Sequence, residues 1–236
     1  MNGVDYKIAP SIFAADLRQL ENQIHELELT QVDLLHVDVM DGHFVDKMAF
    51  GPDHVAAIKR MTSLPLDVHL MVDRPERILD SILSSGADII TFHVESTARL
   101  TSCIERTKKA GRGAGIVLCP STSPNVVDDS LLSGIDMILQ MTINPGESGQ
   151  SFHMGTVDKI RRIREWIGQR GIDLEVDGGV DARNAKIAAH AGANVLVSGG
   201  FLFEGNQVST RVAELRAALE QVGSSQAQMD GLEQFG

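Results

Sequence analysis

Eight short apolar runs alternate with longer amphipathic segments along this chain, and no other feature restricts its fold as tightly. The runs span 7–13, 32–39, 66–71, 89–93, 114–119, 137–141, 173–177 and 195–198, the length expected of buried strands. Between them, apolar residues recur at helical spacing over 16–29, 52–61, 75–84, 100–110, 156–169 and 182–191. Ser85-Gly86-Ala87-Asp88 and Ala191-Gly192-Ala193-Asn194 mark helix ends, where glycine takes a left-handed cap before the next strand. A strand-then-helix unit repeated within 236 residues predicts one α/β domain, a closed (β/α)8 TIM barrel. The competing open doubly wound sheet would carry GxGxxG after its first strand, but that run ends here in Pro10-Ser11-Ile12-Phe13. The expected barrel covers residues 1–223, with the polar stretch 224–236 as a disordered tail.

Composition narrows the classes of function. A net charge of −11, with acids and bases interspersed, argues against nucleic acid or an anionic membrane as partner. Such a chain binds an anion through local backbone amides and helix N-termini rather than through its overall field. Cys103 and Cys119 form no CxxC pair, so no disulfide framework is expected and a reducing cytoplasm fits. The first residues lack the basic start and apolar stretch of a signal peptide, and no run is long enough to span a bilayer. A soluble cytoplasmic protein is expected.

His36, Asp38, His69 and Asp177 stand at the ends of the second, third and seventh runs. Residues two apart on a strand share a face, so His36 and Asp38 project together, and barrel sites gather at C-terminal strand ends. Any one of the four reads as an ordinary hydrogen-bonding residue. Together, two imidazoles and two carboxylates suit one divalent cation (Zn²⁺, Fe²⁺, Mn²⁺ or Co²⁺), or place a carboxylate on either side of a substrate. Met40 and Met71 share the inward parity two residues farther on, and Met141 ends the sixth run. Methionine usually fills core; at this rim it would also form a polarisable wall. Gly146-Glu147-Ser148-Gly149, Gly178-Gly179 and Gly199-Gly200 follow runs six, seven and eight, where barrels recurrently cradle phosphate on backbone N–H groups. Glu175 reads as a core-layer carboxylate, His93 as closing a hydrogen bond, and Asp41 as orienting a ligand from its loop. The basic residues of 159–164 read as a salt-bridged helix face.

Several segments resemble the ribulose-phosphate 3-epimerase family: Ala9-Pro10-Ser11-Ile12, the stretch from His36 to Val45 (HVDVMDGHFV), Asp67-Val68-His69-Leu70-Met71-Val72, Thr91-Phe92-His93, Asn144-Pro145-Gly146, Gly149-Gln150-Ser151-Phe152, and Glu175-Val176-Asp177-Gly178-Gly179-Val180. The resemblance runs in order over about residues 7 to 220. It implies a metal-dependent barrel that interconverts ketose phosphates at C3, ribulose 5-phosphate to xylulose 5-phosphate, through an enediolate. By position it makes His36, Asp38, His69 and Asp177 the metal ligands, with Asp38 and Asp177 also the acid and base. Ser11 and His69 would touch the sugar, and Met40, Met71 and Met141 would line the reacting carbons. Gly146, Glu147, Ser148, Gly149, Gly178, Gly179, Gly199 and Gly200 would surround the phosphate. A homo-oligomer, dimer or hexamer, is implied as well.

The chain departs from that family's pattern mainly at the substrate end. Gly146-Glu147-Ser148-Gly149 replaces Gly-Phe-Gly-Gly, Gly199-Gly200 replaces Gly-Ser, and Asp46-Lys47 stands for Pro-Asn. Val94 stands for Pro, and Cys119, a thiol near the site, for Asn. These changes keep three alternatives open: allulose 6-phosphate as substrate, an unphosphorylated ketose, or a non-catalytic sugar-phosphate-binding paralogue. A metal-dependent aldolase is disfavoured because only His36 and His69 are well placed. A Schiff-base aldolase lacks an inward lysine.

Overall fold

Alternate residues of a strand face opposite ways, and in β2 (Leu35–Met40) and β3 (Leu66–Met71) both faces are buried. Leu35, Val37, Val39, Leu66, Val68 and Leu70 turn outward into the aliphatic layer beneath the helices. That leaves His36, Asp38, Met40, Asp67, His69 and Met71 for the interior. The same division holds around the molecule. A computed structural model describes residues 4–30, 32–147 and 149–233. Among them, eight parallel strands form one sheet ordered β1-β8-β7-β6-β5-β4-β3-β2. The others are β1 (Lys7–Pro10), β4 (Ile89–His93), β5 (Gly113–Leu118), β6 (Met137–Met141), β7 (Asp173–Asp177) and β8 (Val195–Ser198). A single parallel bridge between Ser11 and His36 closes the barrel between β1 and β2. The (β/α)8 expectation holds.

The helices outside are α1 (Leu20–Glu28), α2 (Pro52–Met61), α3 (Leu79–Ser84), α4 (Leu100–Lys109), α5 (Asp129–Gly134), α6 (Val157–Ile167), α7 (Ala182–His190), α8 (Gly200–Phe203) and α9 (Val208–Glu233). Three boundaries differ from expectation. β1 stops at Pro10, because Ile12–Ala14 forms a 3-10 turn that swings Ser11 to the seam. The helix expected over 75–84 breaks into a turn at Pro75–Arg77 and α3, following Arg74 in the left-handed region at φ 53°. α9 continues as helix past residue 223 to Glu233, a stretch without proline and rich in helix formers, where the sequence suggested a tail. α5, not anticipated, is capped by Asp128, whose side chain accepts the Leu131 N–H at 2.9 Å.

A fourfold device fastens the other end of the barrel. Asp33, Asp88, Asp136 and Asn194 each stand just ahead of an even-numbered strand. Their side-chain oxygens accept the N–H of Ile8, Leu66, Ala114 and Leu174 on the preceding odd strand at 2.7, 2.9, 2.8 and 2.7 Å. Each donates its own N–H to the carbonyl of that same residue. Arg216, Lys59, Lys108 and Arg164 bind the four side chains in turn.

Candidate active site

Four side chains converge at the C-terminal mouth. β2 supplies His36 and Asp38, β3 His69 and β7 Asp177, with one ligand-type atom of each within 4.8 Å of all the others. Register explains the meeting, since Asp38 pairs with His69 and His36 with Asp67 in successive layers. His69 Nδ1 lies 3.2 Å from Asp38 Oδ1 and 4.0 Å from Asp177 Oδ2. His36 Nε2 lies 3.4 and 3.9 Å from the same two atoms. Ser11, carried to the seam by its turn, donates its hydroxyl to Asp38 Oδ2 at 2.7 Å.

Hydrogen bonds behind the cluster assign the ring protons. Asp67 Oδ2, 2.5 Å from His36 Nδ1, takes that N–H and turns the Nε2 lone pair toward the cluster. His69 Nε2 is 2.9 Å from His93 Nε2, and His93 Nδ1 is 3.1 Å from Glu95 Oε2. With His93 Nδ1–H given to Glu95, His69 Nε2–H goes to His93 and its Nδ1 lone pair faces Asp38. Glu95 is steadied in turn by the Cys119 N–H at 3.0 Å and by the Thr122 hydroxyl.

This donor set fits a divalent cation. His36 Nε2 is fully buried and has no hydrogen-bond partner among the described residues. Lone pairs of two imidazoles and two carboxylates point at one another, and no Lys or Arg among the described residues pairs with those carboxylates. A cation of ordinary coordination preference would satisfy all four.

The same crowding separates the proton affinities. Burial works to raise Asp38, but His36 and His69 beside it prevail and hold it well below the usual carboxylate range. Asp177 has no such compensation. Burial, then the Asp38 charge, push it up to about 7. His69 falls to about 4, chiefly through burial. Burial also opposes a charge on His36, yet Asp38 and Asp67 outweigh it and raise its pKa, so a cation held by the Nε2 lone pair would take the place of a proton there. Glu175, buried beneath the cluster, is pushed well up by burial and then by Asp67. Two carboxylates of one cluster, Asp38 and Asp177, thus differ in proton affinity, the first held low and the second raised.

A cleft opens above them. It is lined by Ser11, Asp38, Asp177 and the three methionines Met40, Met71 and Met141, and its rim is formed by Gly146, Glu147, Gly149, Gly178, Gly179, Gly199 and Gly200. Ser148, expected here, lies outside the described residues. Two glycines are structurally required. A Cβ on Gly178 (φ 121°) would stand 2.4 Å from Ile143 Cγ1, and one on Gly179 (φ 64°) 2.5 Å from the Phe152 nitrogen. His36 and His69 lie behind the cleft wall rather than on it. Among the described residues, the Asp41 carboxylate accepts the N–H groups of His43, Phe44 and Asp73, tying two rim loops together.

Sequence reasoning missed Asp67, Glu95 and Thr142. Asp67 carried a signal, the inward parity it shares with His69 on β3. Thr142 accepts no obvious role from its position, yet its hydroxyl donates to the Asp177 carbonyl at 2.8 Å and fixes the strand end.

Comparison with known proteins agrees with this geometry. Residues 7–203 match the family model described as the ribulose-phosphate 3 epimerase family. A ribulose-phosphate 3-epimerase of Bacillus subtilis is 38% identical over 215 residues, covering 90% of this chain and 99% of its own. The chloroplastic ribulose-5-phosphate-3-epimerase of Arabidopsis thaliana is 38% identical over 218 residues, covering 91% of this chain and 77% of its own. Among solved structures, 3-keto-L-gulonate-6-phosphate decarboxylase from Vibrio cholerae superposes with a TM-score of 0.68 at 16% identity, over 92% of this chain and 99% of that one. That likeness concerns the barrel alone. No helix among the described residues is long and apolar enough to cross a membrane.

Proposed function

The chain belongs to the ribulose-phosphate 3-epimerase family, and we propose that it interconverts ribulose 5-phosphate and xylulose 5-phosphate by inverting C3. It is an isomerase. The observation that carries the mechanism is a pair of carboxylates, Asp38 and Asp177, that share one cluster with two imidazoles and both line the cleft; Asp38 is held low and Asp177 is raised to about 7. A C3 proton beside a ketone is weakly acidic. Asp38 accepts it, leaving an enediolate across C2 and C3. Asp177, raised to about 7 and so protonated in part of the molecules at neutral pH, returns a proton to the opposite face, which inverts the centre.

His36, Asp38, His69 and Asp177 would hold one divalent cation, Zn²⁺, Fe²⁺, Mn²⁺ or Co²⁺. Such a cation supplies Lewis-acid stabilisation of the oxyanions that develop at C2 and C3. Ser11, on the cleft wall, orients the sugar, whereas His69, expected to touch it, lies behind that wall and acts as a ligand of the cation it would hold. Met40, Met71 and Met141 present a wall without hydrogen-bonding groups to the planar enediolate, which disfavours stray protonation. Backbone of Gly146, Gly149, Gly178, Gly179, Gly199 and Gly200 receives the phosphate. Glu147 accepts a hydrogen bond from the Gln150 amide within its own loop, which supports an acid turned along the rim rather than onto the phosphate. A homo-oligomer is supported by exposed Leu17 and Met48, 66% and 83% accessible, flanking an apolar groove with Phe13 and Phe50.

The test is solvent deuterium incorporation at C3, followed by NMR with metal-loaded protein. Deuterium appearing in newly formed xylulose 5-phosphate is the expected result. Failure of exchange with ribulose 5-phosphate overturns the proposal, and exchange confined to allulose 6-phosphate moves it to the longer sugar.

A further inference from the structure

Beside the proposed catalytic cluster, on the outer side of His69, stands a second group of metal-ligating side chains. His93 Nδ1, Glu95 Oε2 and Cys119 Sγ come from the ends of β4 and β5, and their ligand atoms lie within 4.8 Å of one another. His93 Nδ1 is 3.5 Å from Cys119 Sγ and 3.1 Å from Glu95 Oε2. Tetrahedral zinc, with Zn–S of about 2.3 Å and Zn–N or Zn–O of about 2.0–2.1 Å, places sulfur and nitrogen about 3.5 Å apart and nitrogen and oxygen about 3.3 Å apart. The observed separations match two edges of that tetrahedron. His93 is buried, while Glu95 keeps about a quarter of its side chain (27%) exposed and Cys119 is half-buried. A cation could therefore enter from solvent and keep an open fourth position.

We infer that His93, Glu95 and Cys119 form a second cation site, selective for thiophilic metals such as Zn²⁺ or Cd²⁺, whose occupation opposes metal binding at the cluster of His36, Asp38, His69 and Asp177. Selectivity follows from the thiol. Its sulfur is a soft donor, which thiophilic cations bind in preference to hard ones, and it stands beside an imidazole nitrogen and a carboxylate oxygen.

Opposition follows from the shared hydrogen bond. A metal on the catalytic cluster needs the His69 Nδ1 lone pair, hence a proton on His69 Nε2 donated to His93 Nε2. His93 then carries its proton on Nδ1 and cannot ligate. A metal on His93 Nδ1 requires the reverse: the His93 proton sits on Nε2 and is donated to His69 Nε2, and the His69 proton moves to Nδ1. Each ring keeps one proton, and the thiol proton is released to solvent. The two sites compete through one 2.9 Å contact without sharing a ligand.

This inference uses the catalytic metal cluster proposed above, but its primary readout does not depend on the reaction. The full chain, loaded with one equivalent of Mn²⁺, is titrated with Cd²⁺ while the ultraviolet thiolate-to-cadmium charge-transfer absorption is recorded. The absorption is expected to rise and saturate at one Cd²⁺ per chain in the wild type, and to be absent from C119S, which keeps the size of the side chain. In parallel, epimerisation by the wild type should fall in step with the absorption, while C119S tolerates several-fold more Cd²⁺. No thiolate absorption from the folded wild type overturns the site. Absorption without any difference in Cd²⁺ sensitivity between wild type and C119S overturns the opposition. If neither protein epimerises ribulose 5-phosphate, the reading of function fails while the absorption still decides the site.

Discussion

The two ends of this barrel carry similar acids in opposite circumstances. At the base, Asp33, Asp88 and Asp136 each accept a backbone N–H and meet a Lys or Arg, at contacts of 2.7, 2.7 and 2.6 Å. At the mouth, Asp38, Asp67, Glu175 and Asp177 crowd together with only imidazoles as charged partners among the described residues. The base acids are about a third to under half exposed (35, 30 and 44%), whereas Asp67 and Glu175 are fully buried. Each of these base acids has both a backbone N–H and a cation, whereas among the described residues several polar atoms at the mouth, including both oxygens of Glu175, have no hydrogen-bond partner. The base therefore contributes stability, and the mouth stores an electrostatic cost that a bound cation would relieve. Function and stability are divided along the strand axis.

The sharpest way to break this contrast is Asp177→Asn. With saturating metal, epimerisation should fall by about a hundred- to ten-thousand-fold, the range for losing one general acid or base. Stability should move the other way. The folded pKa of Asp177, about 7, lies above its ordinary 3.8, so folding favours the protonated form. Its contribution to metal-free stability is whole below about pH 4 and is lost as pH rises through about 7. The difference in Tm between Asp177→Asn and wild type, both metal-free, should thus grow in favour of the variant from pH 4 to pH 7. A flat difference would mean that Asp177 ionises freely and that the mouth stores no such cost.

A smaller effect should follow behind the ligands. Asp67→Asn removes the charge that holds the His36 Nδ1 proton at 2.5 Å, without touching the cleft. Metal affinity, read by chelator competition, should weaken by about 10- to 100-fold. Full activity should return at high metal concentration, because the acid and base are intact. Unchanged affinity would show that His36 needs no help in choosing its tautomer.

The two ends were unequally legible in the sequence. Strand parity and strand-end position sufficed for His36, Asp38, His69 and Asp177, because a two-residue period in a parallel barrel leaves little freedom once the runs are found. The paired glycines after β7 and β8 were readable for the same reason. Asp67 and Glu95 were not: whether an inward acid touches a histidine depends on the stagger between neighbouring strands, which one sequence does not display. Residues 33, 88, 136 and 194 did show a pattern, an Asp or Asn just ahead of every second strand. Two of them were seen only as parts of helix-ending repeats. Their role needs the position of the preceding strand, which no local signal carries.

The smallest effect tests the base, and it turns on which of two interactions matters there. Asp136 both accepts the Ala114 N–H and pairs with Lys108, whose side chain is 43% exposed against 44% for Asp136. An ion pair so open to solvent contributes at most about 0.5–1 kcal/mol. The N–H it serves belongs to a fully buried residue, and leaving such a donor unpaired costs about 1–3 kcal/mol. The fourth member of the device already separates the two, since Asn194 accepts the Leu174 N–H at 2.7 Å with a neutral amide. Asp136→Asn should therefore lower stability by less than about 1 kcal/mol, and Asp136→Ala by about 1–3 kcal/mol, in urea unfolding. Neither should change kcat. Equal losses in the two variants would assign the base to its charges, and the contrast with the mouth would then be one of sign rather than of satisfaction.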